Sequence, residues 1–404
     1  MKSSKLKTII LAISATLLAI GLISFPQASF QASLRGLNMW LEIVFPSLLP
    51  FFIVSEMLIG FGVVKFIGVL LEPLMRPLFR VPGVGGFVWA MGMASGYPAG
   101  AKLTARLRQE QQLTAIEAER LVSFTNSSNP LFIFGAISVG FFNNPNLGII
   151  FALSHYLGNI CVGIIMRFHG KNVKVTKRES QTQSTLREAF RALHRTRIND
   201  RRPLGKLLGD AVTSSIQTLL MIGGFIILFS VFNKLLALVN ITDVAAKGFS
   251  YFLTLFQLPT QLSIPLISGL FEITLGGQMT SQVAQANLLQ QVIITSFILA
   301  FSGFSVQAQV ASILADTDIR FKPFFVARLF HGFFAAFFSY LLWEPLYLNL
   351  QTSDQQNTDI PVFNYVKTTS TWLNDSWQFL LKYGAIFTII SLTLYVLILA
   401  KMKN

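Results

Sequence analysis

The run from Ala211 to Val239 carries one charge, Lys234, and exceeds the roughly 20 residues that a helix needs to cross the hydrocarbon core of a bilayer. Such a segment narrows what a chain can become. In lipid every backbone N–H and C=O needs an internal partner, which leaves helices and closed barrels. The apolar runs here are continuous, not alternating, so the barrel drops out. Only 12% of the 404 residues are charged, against about 25% in a soluble domain. The chain is therefore expected to be an all-α polytopic membrane protein.

Further runs agree. One extends from Ile9 to Phe25 behind Lys2, Lys5 and Lys7, and is expected to be an uncleaved first span because it is long for a signal peptide and more spans come after it. Others cover about Asn38–Phe61, Leu147–Arg167, Pro323–Trp343 and Phe379–Ala400. Between them lie apolar stretches too broken for straight helices: Val81–Gly100, "TNSSNP" at 125–130 with the apolar piece after it, Leu262–Gly277 and Val292–Ala315. Ala101–Phe124 reads as a single charged amphipathic helix. The net charge of +14 is local: the stretch His169–Lys206 is strongly basic, and 344–376 is net acidic. A basic excess of this kind reports orientation, with the N-terminus, the 169–206 loop and the C-terminus in the cytoplasm. A docking site for anionic lipid or a partner is the other reading of that loop. No aromatic-interleaved basic domain points to nucleic acid, and the one cysteine, Cys161, forms no intrachain disulfide.

The broken stretches repeat. "GMASGYPAGAK" starting at Gly92 precedes "FTNSSNPLF" at Phe124 by the same interval that separates "GLFEITLGGQ" at Gly269 from "FSGFSVQAQ" at Phe301. At that offset of 177 residues "LPFFIVSEMLI" falls on "IILFSVFNKLL". The charge-based orientation makes the two units run in opposite senses. Inverted-topology repeats with Gly- or Pro-interrupted segments at matching positions are the mark of secondary transporters, with the site at the interruptions. The expected fold is thus two inverted repeats with re-entrant helical hairpins, near 81–100 and 262–277, and broken helices. The expected division is a first span at 1–34, repeat 1 with its following span at 35–167, the basic loop at 168–210, repeat 2 at 211–322, and C-terminal spans at 323–404.

Candidate substrate-binding residues are the polar groups and turn formers at those interruptions. They are Ser95, Gly96, Tyr97, Pro98 and Lys102 in the first hairpin, and Asn126, Ser127 and Asn129 before the kink at Pro130. In the second unit they are Glu272, Thr274, Ser302, Ser305 and Gln307. An ionisable residue at membrane depth, such as Glu272, is costly and so a candidate by default, either for a coupling cation or for the substrate; an ion pair with Lys102 is the plainer alternative. Lys102 and half-helix N-termini offer positive charge to an anion, and Tyr97 offers a ring for stacking. Arg328, only five residues into its span, is expected to snorkel to the interface, and His155 with Asn159 to form a packed polar pair. "GYPAGAK" is not a phosphate loop, since its glycine spacing is wrong and Leu103 stands where Ser or Thr is required. No catalytic motif, metal cluster or cofactor site is evident.

On "GMASGYPAGAKL", "TNSSNPLFIFGAISVG", "GLFEITLGG" and "FSGFSVQAQ", the chain resembles the nucleoside-recognition, or Gate, family, and within it a branch of sporulation membrane proteins. That resemblance spans roughly 35–345. It implies two inverted units with re-entrant hairpins, related in plan to concentrative nucleoside transporters, and for this branch a role in moving dipicolinic acid from the mother cell toward the spore. The expected partners are a small organic anion and the lipid bilayer, with H+ or Na+ as a candidate coupling ion and a homo-oligomer as a candidate assembly. A nucleoside or cation transporter of the same fold, and a non-transporting scaffold for spore assembly, stand as alternatives.

Overall fold

A computed structural model describes residues 2–171, 186–200 and 202–348, with scattered positions between 379 and 391. The acidic loop beyond 348, most of the expected final span and segment 172–185 lie outside the described residues. The chain divides into two compact units, 1–350 and 351–404. In the second, the described positions are helical, and the Phe379 and Tyr383 rings lie 4.8 Å apart. The first holds all the helices α1 to α16.

Most of the described residues are helical, and none of them lies in a strand. α1 is Lys2–Ser24, and Pro26, which cannot continue a helix from inside it, opens α2 at a bend of 103°. α2 runs unbroken over 26–60, through a π-helical turn at Trp40–Val44. It carries the chain through residues 34 and 35 without a break. Next come α3 (Val63–Phe79), α4 (Val84–Ser95), α5 (Ala99–Gln109), α6 (Ala115–Thr125), the π-helical α7 (Leu131–Phe141) and α8 (Leu147–Met166). α9 (Leu186–Asn199) lies within the basic stretch. After it come α10 (Leu204–Leu238), α11 (Ile241–Leu255), α12 (Ser263–Phe271), α13 (Ile273–Ser281), α14 (Leu288–Phe301), α15 (Gly303–Ala315) and α16 (Phe321–Trp343). Among the described residues, by length and composition, four helical stretches can cross a membrane, at 147–166, 204–238, 288–315 and 321–348, or six if two bent pairs each count once.

Ala101–Phe124 is two helices, not the expected one. Gln111 adopts a left-handed conformation, φ 57°, and ends α5. Thr114 and Glu117 then form a reciprocal capping box that starts α6: the Thr114 N–H donates to Glu117 Oε2 at 2.9 Å, and the Glu117 N–H donates back to Thr114 Oγ1. The T-x-x-E signature stood in the sequence, but the apolar periodicity on either side of it masked the break.

The order of helices in the first half recurs in the second. Shifted by 177 residues, α2 falls on α10, α3 on α11, α4 on α12, α5 on α13, α6 on α14, α7 on α15 and α8 on α16, with ends displaced by a few residues. The two longest helices, α2 and α10, cross in close contact. Gly36 sits against the backbone of Ile227, Gly223 lies under the Trp40 ring, and Gly60 meets Leu207. The Trp40 indole N–H donates to Leu219 O at 2.9 Å, and Ser230 Oγ donates to Ala32 O at 2.8 Å. The contact positions descend α10 as they ascend α2, so these equivalent helices run antiparallel.

α4–α5 and α12–α13 are tight antiparallel hairpins, made possible by glycines. A Cβ on Gly276 would lie 2.1 Å from Gly269 Cα, and one on Gly92 or Gly100 would lie 2.0 or 2.2 Å from the Thr125 carbonyl oxygen, which is wedged between them. A methyl there forces backbone apart, at about 1–3 kcal/mol or more for overpacking. Gly276→Ala is therefore expected to lower the thermal stability of the detergent-solubilised protein clearly. Gly224→Ala, where nothing lies within 4 Å, is expected to leave it unchanged or slightly raised.

Candidate functional site

The first hairpin turns at Gly96-Tyr97-Pro98. Gly96 has φ 85°, open to glycine, and Pro98 supplies no N–H to continue α4. Asn129 ties this tip to the break after α6: its Nδ2 donates to Ser95 O at 3.1 Å, and its Oδ1 accepts from the Phe132 N–H at 2.7 Å. The Tyr97 hydroxyl donates to Leu299 O of α14 at 2.9 Å, which ties the same tip to the second half.

The second hairpin turns at Glu272, the position equivalent to Ser95. Glu272 is extended and caps the N-terminus of α13: its Oε2 accepts from the Leu275 N–H at 2.8 Å and from the Thr274 hydroxyl. A carboxylate there also complements the helix dipole. It is 5% exposed and does not pair with Lys102.

Between α6 and α7 residues 126–129 leave the helix. Two helices hold them. From α8, His155 Nε2 accepts the Ser128 N–H at 3.0 Å, and the Tyr156 hydroxyl donates to Ser128 O at 3.1 Å. From α16, Arg328 donates to Asn126 O at 2.8 Å, to Ser123 O and to Asn159 Oδ1 at 3.2 Å. Arg328 is 0% exposed. It does not snorkel, because the orphan carbonyls at the end of α6 give its fork more acceptors inside than the interface would. His155 and Asn159 likewise bond the break and its arginine, not each other. His331 completes the cluster, with Nε2 at 2.7 Å from the His155 carbonyl oxygen and Nδ1 3.0 Å from Arg328. The matching break between α14 and α15 is one left-handed residue, Ser302, φ 70°, followed by Gly303, φ 59°. There Gln307 Nε2 donates to Phe301 O at 3.0 Å.

Both tips and both breaks converge on a cavity of about 80 Å³. Gly96 and Tyr97 come from the first tip, Ser128, Asn129 and Phe132 from the first break, Glu272, Ile273 and Thr274 from the second tip, and Ser305, Val306 and Gln309 from the second break. Val44 and Leu48 of α2 face Ile222 and Ile226 of α10 across its apolar wall. The Asn126 amide, the hydroxyls of Ser127 and Ser302, Gln307 Oε1 and, in the lining itself, the Ser305 hydroxyl are buried with no hydrogen-bond partner among the described residues.

Of the expected site residues, Gly96, Tyr97, Asn129, Glu272, Thr274 and Ser305 line this cavity. Ser95 and Pro98 flank the first tip, and Asn126, Ser127, Ser302 and Gln307 are buried behind the walls. Lys102 lies elsewhere. Its Nζ bonds Ser214 Oγ and Thr218 Oγ1 of α10, each at 2.9 Å, and pairs with Glu56 at 3.2 Å. Glu56 also takes Arg106 at 2.6 Å, and Arg106 has Glu110 as a second partner at 3.2 Å, so two cations meet two carboxylates there and Lys102 is engaged away from the cavity. Ser128 and Gln309 join the lining; they sit in the same polar clusters, but only the fold selects them. The apolar wall residues carry no signal that separates them from any other membrane helix.

A larger cavity, about 250 Å³, opens beside Lys65, Arg106, Asp200 and Arg202. Its arginines are already paired: Arg106 with Glu56 and Glu110, and Arg202 with Asp200 and Asp210. The hydrogen bonds from Arg202 pull the Asp200 carboxyl down to about 2. This pocket is a neutralised network, and none of the expected site residues lines it.

The arrangement defines an integral membrane protein in which two equivalent helix sets bring two hairpin tips and two helix breaks to one point. The family described as "Gate: Nucleoside recognition" matches the chain twice, at 41–142 and 219–317, once in each set. The chain is 59% identical over 402 residues to the sporulation integral membrane protein YlbJ of Bacillus subtilis (strain 168), covering 98% of this chain and 97% of that one. The chain belongs to the Gate family, together with this sporulation protein. No solved structure matches it.

Proposed function

We propose that the protein is a secondary transporter or facilitator that moves a small organic anion, dipicolinic acid, during sporulation by alternating access. The observation that carries this reading is the cavity itself, built from matching parts of both halves. In this reading α4–α5 and α12–α13 are re-entrant hairpins and the halves are inverted repeats. The antiparallel crossing of α2 and α10 supports the inversion, since equivalent helices in inverted units must run oppositely. The termini and the 169–206 loop lie on the cytoplasmic side, with positive charge retained inside.

Physical chemistry supports a ligand at this point. Unpartnered buried polar groups cost about 1–3 kcal/mol each, so a cluster of them at two matched breaks is a standing loss that a bound substrate or ion offsets. The fully buried guanidinium of Arg328, placed behind Asn126, gives that side of the cavity a positive charge. Glu272 opposes it, so an anion enters most favourably together with a proton or cation at Glu272, which makes H+ or Na+ the coupling ion. At about 80 Å³ the cavity is well below the roughly 300 Å³ where drug-sized pockets begin. In this reading a hairpin moves to admit an aromatic dicarboxylate.

The hydrogen-bonding set Asn129, Thr274, Ser305 and Gln309 also suits hydroxyl groups, which favours a nucleoside as the second reading. Uptake by vesicles carrying the purified protein separates the two. Labelled dipicolinate is expected to accumulate, with unlabelled dipicolinate competing and nucleosides not. Uptake of nucleosides with indifference to dipicolinate overturns the anion assignment. Full dipicolinate flux after Glu272→Ala combined with Asn126→Ala overturns the site.

A further inference from the structure

We propose that α9 is an interfacial helix that docks on the anionic surface of the bilayer, a role independent of what the central cavity carries. α9 joins two helices long enough to cross the membrane, α8 and α10, and so lies at the level where those spans emerge. One face is fixed to the protein. Ala189 is fully buried, and a Cβ on Gly62, at the start of α3, would meet Leu193 O at 2.7 Å and Thr196 Cβ at 2.8 Å. The Phe190 ring lies 5.0 Å from that of Phe66.

The rest of the helix is less covered. Leu186 is 60% exposed, and Phe190, one turn on, stays 55% exposed beside its contact with Phe66. Beside them Arg187, Arg191 and Arg195 have the four-residue spacing that stacks side chains along one face, and all three are exposed. None of the three has a carboxylate within ion-pair distance among the described residues, in contrast to Arg106 and Arg202 in the neighbouring cavity. An apolar stripe bordered by unneutralised arginines at the end of two spans is complementary to a surface that is greasy below and negatively charged above. That surface is the headgroup layer of a membrane containing anionic phospholipid. A soluble acidic partner would match the arginines but would leave the exposed apolar surface of Leu186 and Phe190 without a reason.

The test places one fluorophore on the full-length protein at Phe190→Cys, in a Cys161→Ser background, since Cys161 is the sole cysteine. The protein is reconstituted in vesicles of phosphatidylcholine alone or with added phosphatidylglycerol. Lipids carrying a quencher in the upper acyl chain report depth. The expected result is strong quenching with phosphatidylglycerol, weak quenching without it, and loss of the difference at about 1 M salt, where the screening length falls to about 3 Å. Changing Arg187, Arg191 and Arg195 together to Gln is expected to weaken docking about a hundredfold, at about a fivefold loss per charge near an anionic surface. The same three positions changed to Lys keep it, which separates charge from misfolding. Equal quenching in both vesicle types, or shielding of the probe that appears only with an added acidic protein, overturns the proposal.

Discussion

Vesicles carrying Glu272→Ala are expected to take up dipicolinate at no more than about a tenth of the wild-type rate, a loss of at least about 1.4 kcal/mol of transition-state stabilisation. The substitution removes the cavity's only carboxylate among the described residues. It also removes the cap on α13, which accepts from Leu275 N–H and the Thr274 hydroxyl; losing a cap costs about 1 kcal/mol. Glu272→Gln separates the two effects. Its amide oxygen keeps the cap and its size keeps the packing, but it holds no charge and takes up no proton. If the coupling ion resides at Glu272, the Gln variant loses concentrative uptake while its stability stays near wild type. Full concentrative uptake by the Gln variant restricts Glu272 to capping.

The second large effect is expected at Arg328. Replacing it by Leu leaves the carbonyls of Ser123 and Asn126 and the side chain of Asn159 without their donor. At about 1–3 kcal/mol for each buried acceptor left unmade, the sum is comparable with the whole stability of a typical domain, about 5–15 kcal/mol. Arg328→Leu is accordingly expected to be almost absent from the membrane fraction. Arg328→Lys is expected to recover only part of the wild-type amount, because an ammonium group cannot span acceptors that a planar fork reaches together. Normal accumulation of the Leu variant contradicts the role given to Arg328 in holding the break.

Much of this was legible in the sequence, for identifiable reasons. Gly96-Tyr97-Pro98 and "SSNP" cannot lie inside a regular helix, so the interruptions announced themselves. The offset of 177 residues, read from a few matched positions, carries through seven pairs of helices, because each pair does the same packing job in its own half. What escaped was decided by partners distant in sequence. Lys102 reads as a free charge beside a hairpin until α10 and Glu56 enclose it. Arg328 reads as a snorkelling residue near a helix start until α6 ends against it. Glu272 reads as an isolated carboxylate, but it is a helix cap, and a glutamate in that role has no strong local signature. The walls given by Val44, Leu48, Ile222 and Ile226 are apolar residues among many, and only the crossing of α2 and α10 singles them out.

Alternating access requires the cavity between the two hairpins to open to each side of the membrane in turn. The most direct measurement is the accessibility of a single cysteine at Ser305→Cys, in the Cys161→Ser background, to a membrane-impermeant thiol reagent applied from either side of oriented vesicles. Modification is expected from both sides, slowed in each case by dipicolinate. Modification from one side alone, or reaction from both sides at rates that dipicolinate does not change, would contradict alternating access at this site.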